Sequence, residues 1–309
     1  MRSPLIAENY GDFLSISKNN IVLKNKNLVE STPIKELSHI IIKGHSVSLS
    51  TAFVLKCLNN NLPIILLDDF WKPYSVITKS GKASRLSALQ LKFVNGNKGA
   101  RFIGNLLKEK ARKQHQVLHY HIRSLRLNSN NEVKNIEAYN FKNFLNSFDV
   151  LVKQKSSVEK MRQQFFLLEA RSSRAYWKVI SKLLRSVNFP GRQKRNSMDP
   201  FNKLLNYGYA LLSSTIFKTS VLAGLDLSIP LLHHRKGVAF PFVFDLMEPF
   251  RPITDHIALS FLHKQKKQIF NKHKEIRTSV LKRYREFWFK EMNETQPWLK
   301  SNKSTNNLI

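Results

Sequence analysis

KSGKASR, residues Lys79 to Arg85, separates two kinds of sequence. Before it, short β-rich runs alternate with polar turns. FLSIS, then KNN, then IVLKN has the pattern of a β-hairpin. SHIIIKG and SVSLS follow as two more short β-rich runs. Ser50 or Thr51 can cap a helix, TAFVLKCL, whose apolar residues fall at helical spacing. Asn59-Asn60-Asn61 ends that helix, and PIILLDD is then a short buried strand. After Arg85 the chain turns helical. Leu86, Leu89, Phe93, Phe102, Ile103, Leu106 and Leu107 are interspersed with basic residues, and KEKARKQHQVLHYHIR is amphipathic and strongly cationic. NSNNEVKN (128–135) is a polar break. A further helix covers roughly Val158 to Ser186. Another begins at Asp199, with Pro200 in its first turn. A last one carries the apolar stripe Ile276, Val280, Leu281, Tyr284, Phe287 and Trp288. Strands first and helices after predict an α+β fold. An N-terminal β-rich domain spans 1–78, a linker 79–85, a larger all-α C-terminal domain 86–295 and a flexible tail 296–309.

The 309 residues carry 51 Lys plus Arg against 21 Asp plus Glu, a formal net charge of +30. Such an excess attracts polyanions, nucleic acid first and an anionic membrane surface second. The membrane reading is weak, because no run of about 18 uncharged apolar residues exists. The closest, Tyr209 to Leu232, is broken by Lys218 and Asp226. The N-terminus lacks a signal-peptide core. The single cysteine, Cys57, rules out an intramolecular disulfide framework and a Cys-rich zinc site. The expectation is a cytoplasmic protein. No nucleotide-binding glycine fingerprint appears in the N-terminal part.

Few acids are present, so those inside apolar runs stand out. HHRKGVAFPFVFDLMEPFRP, His233 to Pro252, holds Asp245 and Glu248 three residues apart. On a helix that spacing puts both carboxylates on one face. Two buried like charges repel unless something cationic binds beside them. A divalent ion serves, with His233 supplying a nitrogen, and such a set suits Mn²⁺ or Mg²⁺. The alternative is structural: acids placed for a helix dipole, with Glu248 paired to Arg251. Glu169, in FFLLEARSSRAYW, is the other odd acid, and a solvated helix face with Arg171 and Arg174 nearby explains it as well. The loop residues Arg192, Gln193, Lys194 and Arg195 form a phosphate clamp or a solvated loop. Tyr176, Trp177, Tyr207 and Tyr209 stack on unpaired bases or fill a core.

Three stretches, in this order, resemble a known family. LLEARSSRAYW carries Glu169 followed by Tyr176-Trp177. RQKRNSMDPFNKLLNYGYALL looks like a basic loop leading into an Asp-Pro-x-Asn helix. GLDLSIPLLHHRKGVAFPFVFDLMEPFRPITD is similar to the family's Gly-Leu-Asp, histidine and Asp-Leu-Met-Glu-x-Phe-Arg-Pro block. The family is the CRISPR-associated spacer-acquisition integrase and endonuclease, the first-numbered Cas protein. The resemblance implies a helical catalytic domain in which Glu169, His233 and Glu248 hold Mg²⁺ or Mn²⁺. Asp245, the aspartate opening the last motif, completes the catalytic set by supporting the site or binding a second ion. DNA contacts are expected at Arg171, Arg174, Tyr176, Arg192, Lys194, Arg195, Asn202 and Arg251. The family joins the 3′-OH ends of short DNA duplexes to the CRISPR leader and repeat. It works as a homodimer with the second-numbered Cas protein as partner. Two other classes stay open: a metal-dependent DNA-repair nuclease, and a non-catalytic nucleic-acid binder. Two positions depart from the family pattern. Leu227 stands where a proline is usual after Gly-Leu-Asp, and Ala170 where a glycine is usual after the glutamate.

Overall fold

The computed structural model describes residues 3–69, 73–79, 83–124, 140–184, 189–193, 197, 199–234, 240–264 and 278–294. The polar break at 128–135 and the tail at 296–309 lie outside the described residues. The fold is α+β, strand-rich at its N-terminus and mostly helical after it. The chain forms two compact units, Met1–Leu91 with Ser213–Phe244, and Lys92–Leu212 with Asp245–Ile309. The first unit therefore draws on two separate stretches of sequence, which the change of composition at 79–85 does not indicate.

Two four-stranded sheets make up the strand-rich part of the first unit. One runs in the order β1 (Ser3–Ala7), β5 (Leu37–Lys43), β7 (Ile64–Leu67), β8 (Pro73–Ile77). Its first three strands are parallel and β8 pairs antiparallel to β7. The other runs β4 (Leu28–Pro33), β3 (Asn20–Asn25), β2 (Phe13–Ser17), β6 (Ser48–Leu49). The expected hairpin is β2–β3, with Leu14 opposite Leu23 and Ile16 opposite Ile21. The run SVSLS contributes only the two residues of β6. Helix α1 (Thr51–Asn59) starts where its cap predicts: the Ser50 hydroxyl accepts from the Phe53 amide at 3.2 Å. Leu5, Leu14, Ile21, Leu23, Ile40, Phe53, Cys57 and Ile64 close one apolar core. Burial there pushes the Cys57 thiol up to about 12, so it is inert at neutral pH.

Among the described residues the further α-helices are α2 (Ala83–Asn95), α3 (Asn97–Ser124), α4 (Phe141–Lys153), α5 (Val158–Leu183), α6 (Pro200–Leu222), α7 (Pro241–Met247), α8 (Arg251–Lys264) and α9 (Thr278–Asn293). In the second unit α3 packs along α4, α5 and α8, and α8 packs on α9. The buried stripe of α3 (Ile103, Leu107, Ala111, Val117, Leu118, Ile122) follows the helical period, and Lys110 and Gln114 fall on it too. Gly208 of α6 lets α8 and α9 approach. A Cβ there would meet the Tyr284 hydroxyl at 2.5 Å and Thr254 Cγ2 at 2.6 Å, both on fully buried side chains. Gly208→Ala is expected to destabilise by about 1–3 kcal/mol, because overpacking outweighs the helix propensity gained. A thermal melt checks this, and an unchanged or higher midpoint contradicts it. Among the described residues no helix is long and apolar enough to cross a membrane.

Candidate active site

Glu169 lies on α5, on the flank turned toward α3, with a quarter of its side chain exposed. Glu248 opens a one-turn 3₁₀ helix, Glu248–Phe250, between α7 and α8. The α-helix expected to carry both Asp245 and Glu248 stops at Met247. The reason is local: Pro249 has no amide hydrogen to return to the carbonyl four residues back. Asp245 is fully buried in the last turn of α7, and Glu248 is 3 % exposed at the turn that follows. Lys113 of α3 fixes this turn by donating to the Pro249 carbonyl at 3.0 Å, with its ammonium 5.2 Å from the Phe250 ring centre.

The two glutamates converge on one cation. The ammonium of Lys110 donates to Glu169 Oε1 and pairs with Glu248 Oε2 at 2.7 Å. The Ser173 hydroxyl, one turn along α5, also donates to Glu169 Oε1 at 2.7 Å. Arg251 Nε donates to the other oxygen of Glu248 at 2.9 Å, so the local pairing weighed from sequence is present. Burial pushes the Glu169 carboxyl up and the Glu248 charge adds to that. The Lys110 ammonium and the hydrogen bonds from Lys110 and Ser173 outweigh both and hold it below the usual carboxylate range. Burial pulls the Lys110 ammonium down, but Glu248 and then Glu169 outweigh it and raise it.

A second set of buried polar groups shares residues with the first. Arg192 and Arg251 lie over the Tyr209 ring at 5.2 and 5.0 Å, and the Tyr209 hydroxyl donates to Asp255 Oδ1. Burial is the largest influence on Asp255 and raises it to about 6, although Tyr209, Arg192 and Lys110 all pull the other way. Asn202 builds the loop before α6. Its side-chain oxygen accepts from Arg192 at 3.0 Å and from the Gln193 amide at 2.9 Å. Its amide donates to the Gly191 carbonyl and to Asp199, both at 2.8 Å. Asn206 accepts from Arg192 at 2.7 Å.

Of the residues singled out by sequence, Glu169 and Glu248 come together through Lys110, and Arg251 joins them at Glu248. Arg192 joins Arg251 across Tyr209. Arg171 and Arg174 are exposed on α5, next to Glu169 in sequence. Tyr176 and Asn202, expected at DNA, are fully buried. Tyr176 packs edge-on to Trp177; neither Tyr176 nor Asn202 presents an exposed surface to a base or a phosphate, and Asn202 serves to position Arg192. Lys194 and Arg195 lie outside the described residues. His233 belongs to the first unit, half-buried, with its ring 6.4 Å from that of Phe244. Leu227, the departure from proline, is buried and its carbonyl accepts from the Phe242 amide at 3.3 Å. Lys110 and Asp255 were missed, and Tyr209, weighed as a base-stacking or core aromatic, instead gives its hydroxyl to Asp255. Lys110 had a signal, a charge on the apolar stripe of a helix. Asp255 had a weaker one, an acid inside the apolar run of α8.

Among the described residues no three or more His, Cys, Asp or Glu side chains cluster as a metal site. The glutamate pair nevertheless fits a hard divalent ion. Two carboxylates from distant parts of the chain already meet at a single buried cation, the ammonium, and oxygen donors suit Mg²⁺ or Mn²⁺.

The sequence pattern of the family described as CRISPR associated protein Cas1 matches residues 5–294. A CRISPR-associated endonuclease Cas1 from Korarchaeum cryptofilum is 25 % identical over 276 residues, covering 86 % of this chain and 80 % of its own. One from Francisella tularensis subsp. novicida is 27 % identical over 295 residues, covering 91 % and 87 %. Among solved structures, a casposase bound to integration product superposes with a TM-score of 0.75 at 18 % identity, covering 95 % of this chain and 84 % of that one. A CAS1 protein from Thermotoga maritima gives 0.71 at 15 % identity, covering 95 % and 90 %. A Cas6-RT-Cas1–Cas2 complex gives 0.73 at 16 % identity, covering 96 % of this chain and 33 % of that one.

Proposed function

Because the chain belongs to the Cas1 family, we propose that it is a metal-dependent DNA endonuclease and integrase of CRISPR adaptation. It joins the 3′-OH ends of short DNA duplexes to the CRISPR array by phosphodiester transfer. The observation that carries this reading is the convergence of Glu169 and Glu248 on one buried cation. Curated relatives named as endonucleases support it. The net charge of +30 fits a polyanionic substrate.

Glu169 and Glu248 would hold Mg²⁺ or Mn²⁺, with His233 as the third ligand by its place in the family motif and Asp245 beside them. The ion supplies charge stabilisation at the scissile phosphate. In the step itself a DNA 3′ oxygen forms a new bond to phosphorus and the array's own 3′ oxygen leaves. The proton lost by the first hydroxyl balances the one gained by the second. One phosphodiester is made for each one broken, so no external energy source is needed. Arg251 holds Glu248 through Oε1, the oxygen that Lys110 does not use. Arg171 and Arg174, exposed beside Glu169, and the Arg192, Lys194, Arg195 loop receive backbone phosphates. Arg171→Ala combined with Arg174→Ala is expected to weaken DNA binding alike for all sequences and to lower the salt-dependence slope by about two. Fluorescence anisotropy between 50 and 300 mM salt checks this, and an unchanged slope contradicts it. The working assembly is a cytoplasmic homodimer joined by the second-numbered Cas protein, and no membrane is involved.

The direct test mixes the protein with a labelled 3′-OH duplex, a plasmid bearing a CRISPR leader and repeat, and Mn²⁺ or Mg²⁺, with and without that partner. Label joined to plasmid by the wild type, and not by Glu169→Ala or His233→Ala, is the expected result. Cleavage without joining under both conditions points instead to a nuclease that uses water at the same site. Equal joining by wild type and both variants rejects the site assignment.

A further inference from the structure

Holding an ion at Glu169 and Glu248 leaves Lys110 to be explained. We propose that Lys110 is a built-in counter-cation, holding the two carboxylates in the metal-free protein, which a divalent ion must displace on entering. The proposal rests on the metal reading of Glu169 and Glu248 given above.

Lys110 is 7 % exposed and sits on the stripe of α3 that otherwise buries Ile103, Leu107, Ala111 and Val117. An ammonium is placed in such a position only when anions neutralise it, and its two partners are the two acids. The pairing divides the oxygens of Glu248: Arg251 takes Oε1 and Lys110 takes Oε2. Arg251 therefore fixes the orientation of Glu248 without using the oxygen that meets the ammonium. Lys110 also uses the same Glu169 oxygen that Ser173 donates to. A hard divalent ion sits about 2.0–2.6 Å from carboxylate oxygens and draws on the same lone pairs. Two cations at contact distance in a water-poor site repel strongly, so the ammonium must withdraw before the ion is held by both acids. The flexible four-carbon stem of lysine allows that without moving α3. The arrangement keeps both acids gathered before the ion arrives, at a cost in ion affinity.

The test measures Mn²⁺ binding to the full-length protein without DNA, by the electron paramagnetic resonance signal of free Mn²⁺. It compares wild type with Lys110→Met, Lys110→Arg, Glu169→Gln and Glu248→Gln. Lys110→Met is expected to bind Mn²⁺ tighter by about tenfold or more, while Lys110→Arg keeps the wild-type affinity. Equal or weaker binding by Lys110→Met, with binding lost in Glu169→Gln, overturns the counter-cation while leaving the metal reading intact. Equal tightening in Lys110→Arg assigns the effect to packing and also overturns it. Wild-type binding by both glutamine variants removes the metal reading, and the counter-cation with it. Lys110→Met removes the cation that Glu169 and Glu248 share, leaving Ser173 on one and Arg251 on the other, so its fold is followed by circular dichroism during the titration. A chain unfolded without metal that gains native signal with Mn²⁺ supports the proposal, and one that does not refold overturns it.

Discussion

Glu248→Gln is expected to lower joining of a 3′-OH duplex by about 10³-fold while leaving DNA binding as tight as in the wild type, or tighter. The size follows from what one precisely placed charge contributes to a transition state in a water-poor site, about 10²–10³ in rate, together with loss of a carboxylate donor to the ion. The direction of the binding effect follows from charge. Removing one acid raises the net charge from +30 to +31, and phosphate binding strengthens with positive charge. Glutamine keeps the shape of the side chain, and its oxygen can still accept from Arg251 Nε as Glu248 Oε1 does at 2.9 Å. The turn Glu248–Phe250 also retains the Lys113 bond to the Pro249 carbonyl. A folded variant that binds DNA but does not join it is therefore the expected outcome. Joining within tenfold of wild type, in a variant with native circular dichroism, removes Glu248 from the chemistry. In that event its pairing with Lys110 and Arg251 is structural only.

Asp255→Asn is expected to stabilise the protein at pH 7 by up to about 3 kcal/mol and to flatten the dependence of stability on pH between about 4 and 6. Asp255 is 1 % exposed, and burial raises it from 3.8 to about 6. In that window the folded protein keeps a proton that the unfolded chain releases. Stability from this group is fully present below about pH 3.8 and is lost as pH rises through 6. Roughly two pH units at 1.36 kcal/mol each give the magnitude. Asparagine carries no charge to bury, and its oxygen still accepts from the Tyr209 hydroxyl as Asp255 Oδ1 does. Urea midpoints at pH 4.5, 5.5 and 7 for both proteins check this. A variant less stable than wild type at pH 7 shows instead that Arg192 and Lys110 depend on the aspartate charge.

Much of the local structure was legible because its causes are local. The β2–β3 hairpin follows from alternating residues around a polar turn, and α1 starts at the Ser50 cap. Helix α5 covers Val158–Leu183 within the run of helix formers that predicts it. The contact between Glu248 and Arg251 is also local, three residues apart on a tight turn. Glu169, Asp245 and Glu248 were visible as acids inside apolar runs. Reading them as a metal site, with His233, came from the family motifs.

Tertiary packing decided the rest. Lys110 and Glu169 are 59 residues apart, and Tyr209 and Asp255 are 46 apart. No period of 2 or 3.6 links such pairs. The sequence by itself determined several elements, the β2–β3 hairpin, α1 with its Ser50 cap and α5 among them, and that a few charges fall in apolar runs, because those depend on interactions within a turn or two. It did not determine which charges meet, because a buried ammonium is equally unfavourable opposite any apolar neighbour. Only the packing of α3 against α5 and the turn before α8 gives Lys110 its two carboxylates.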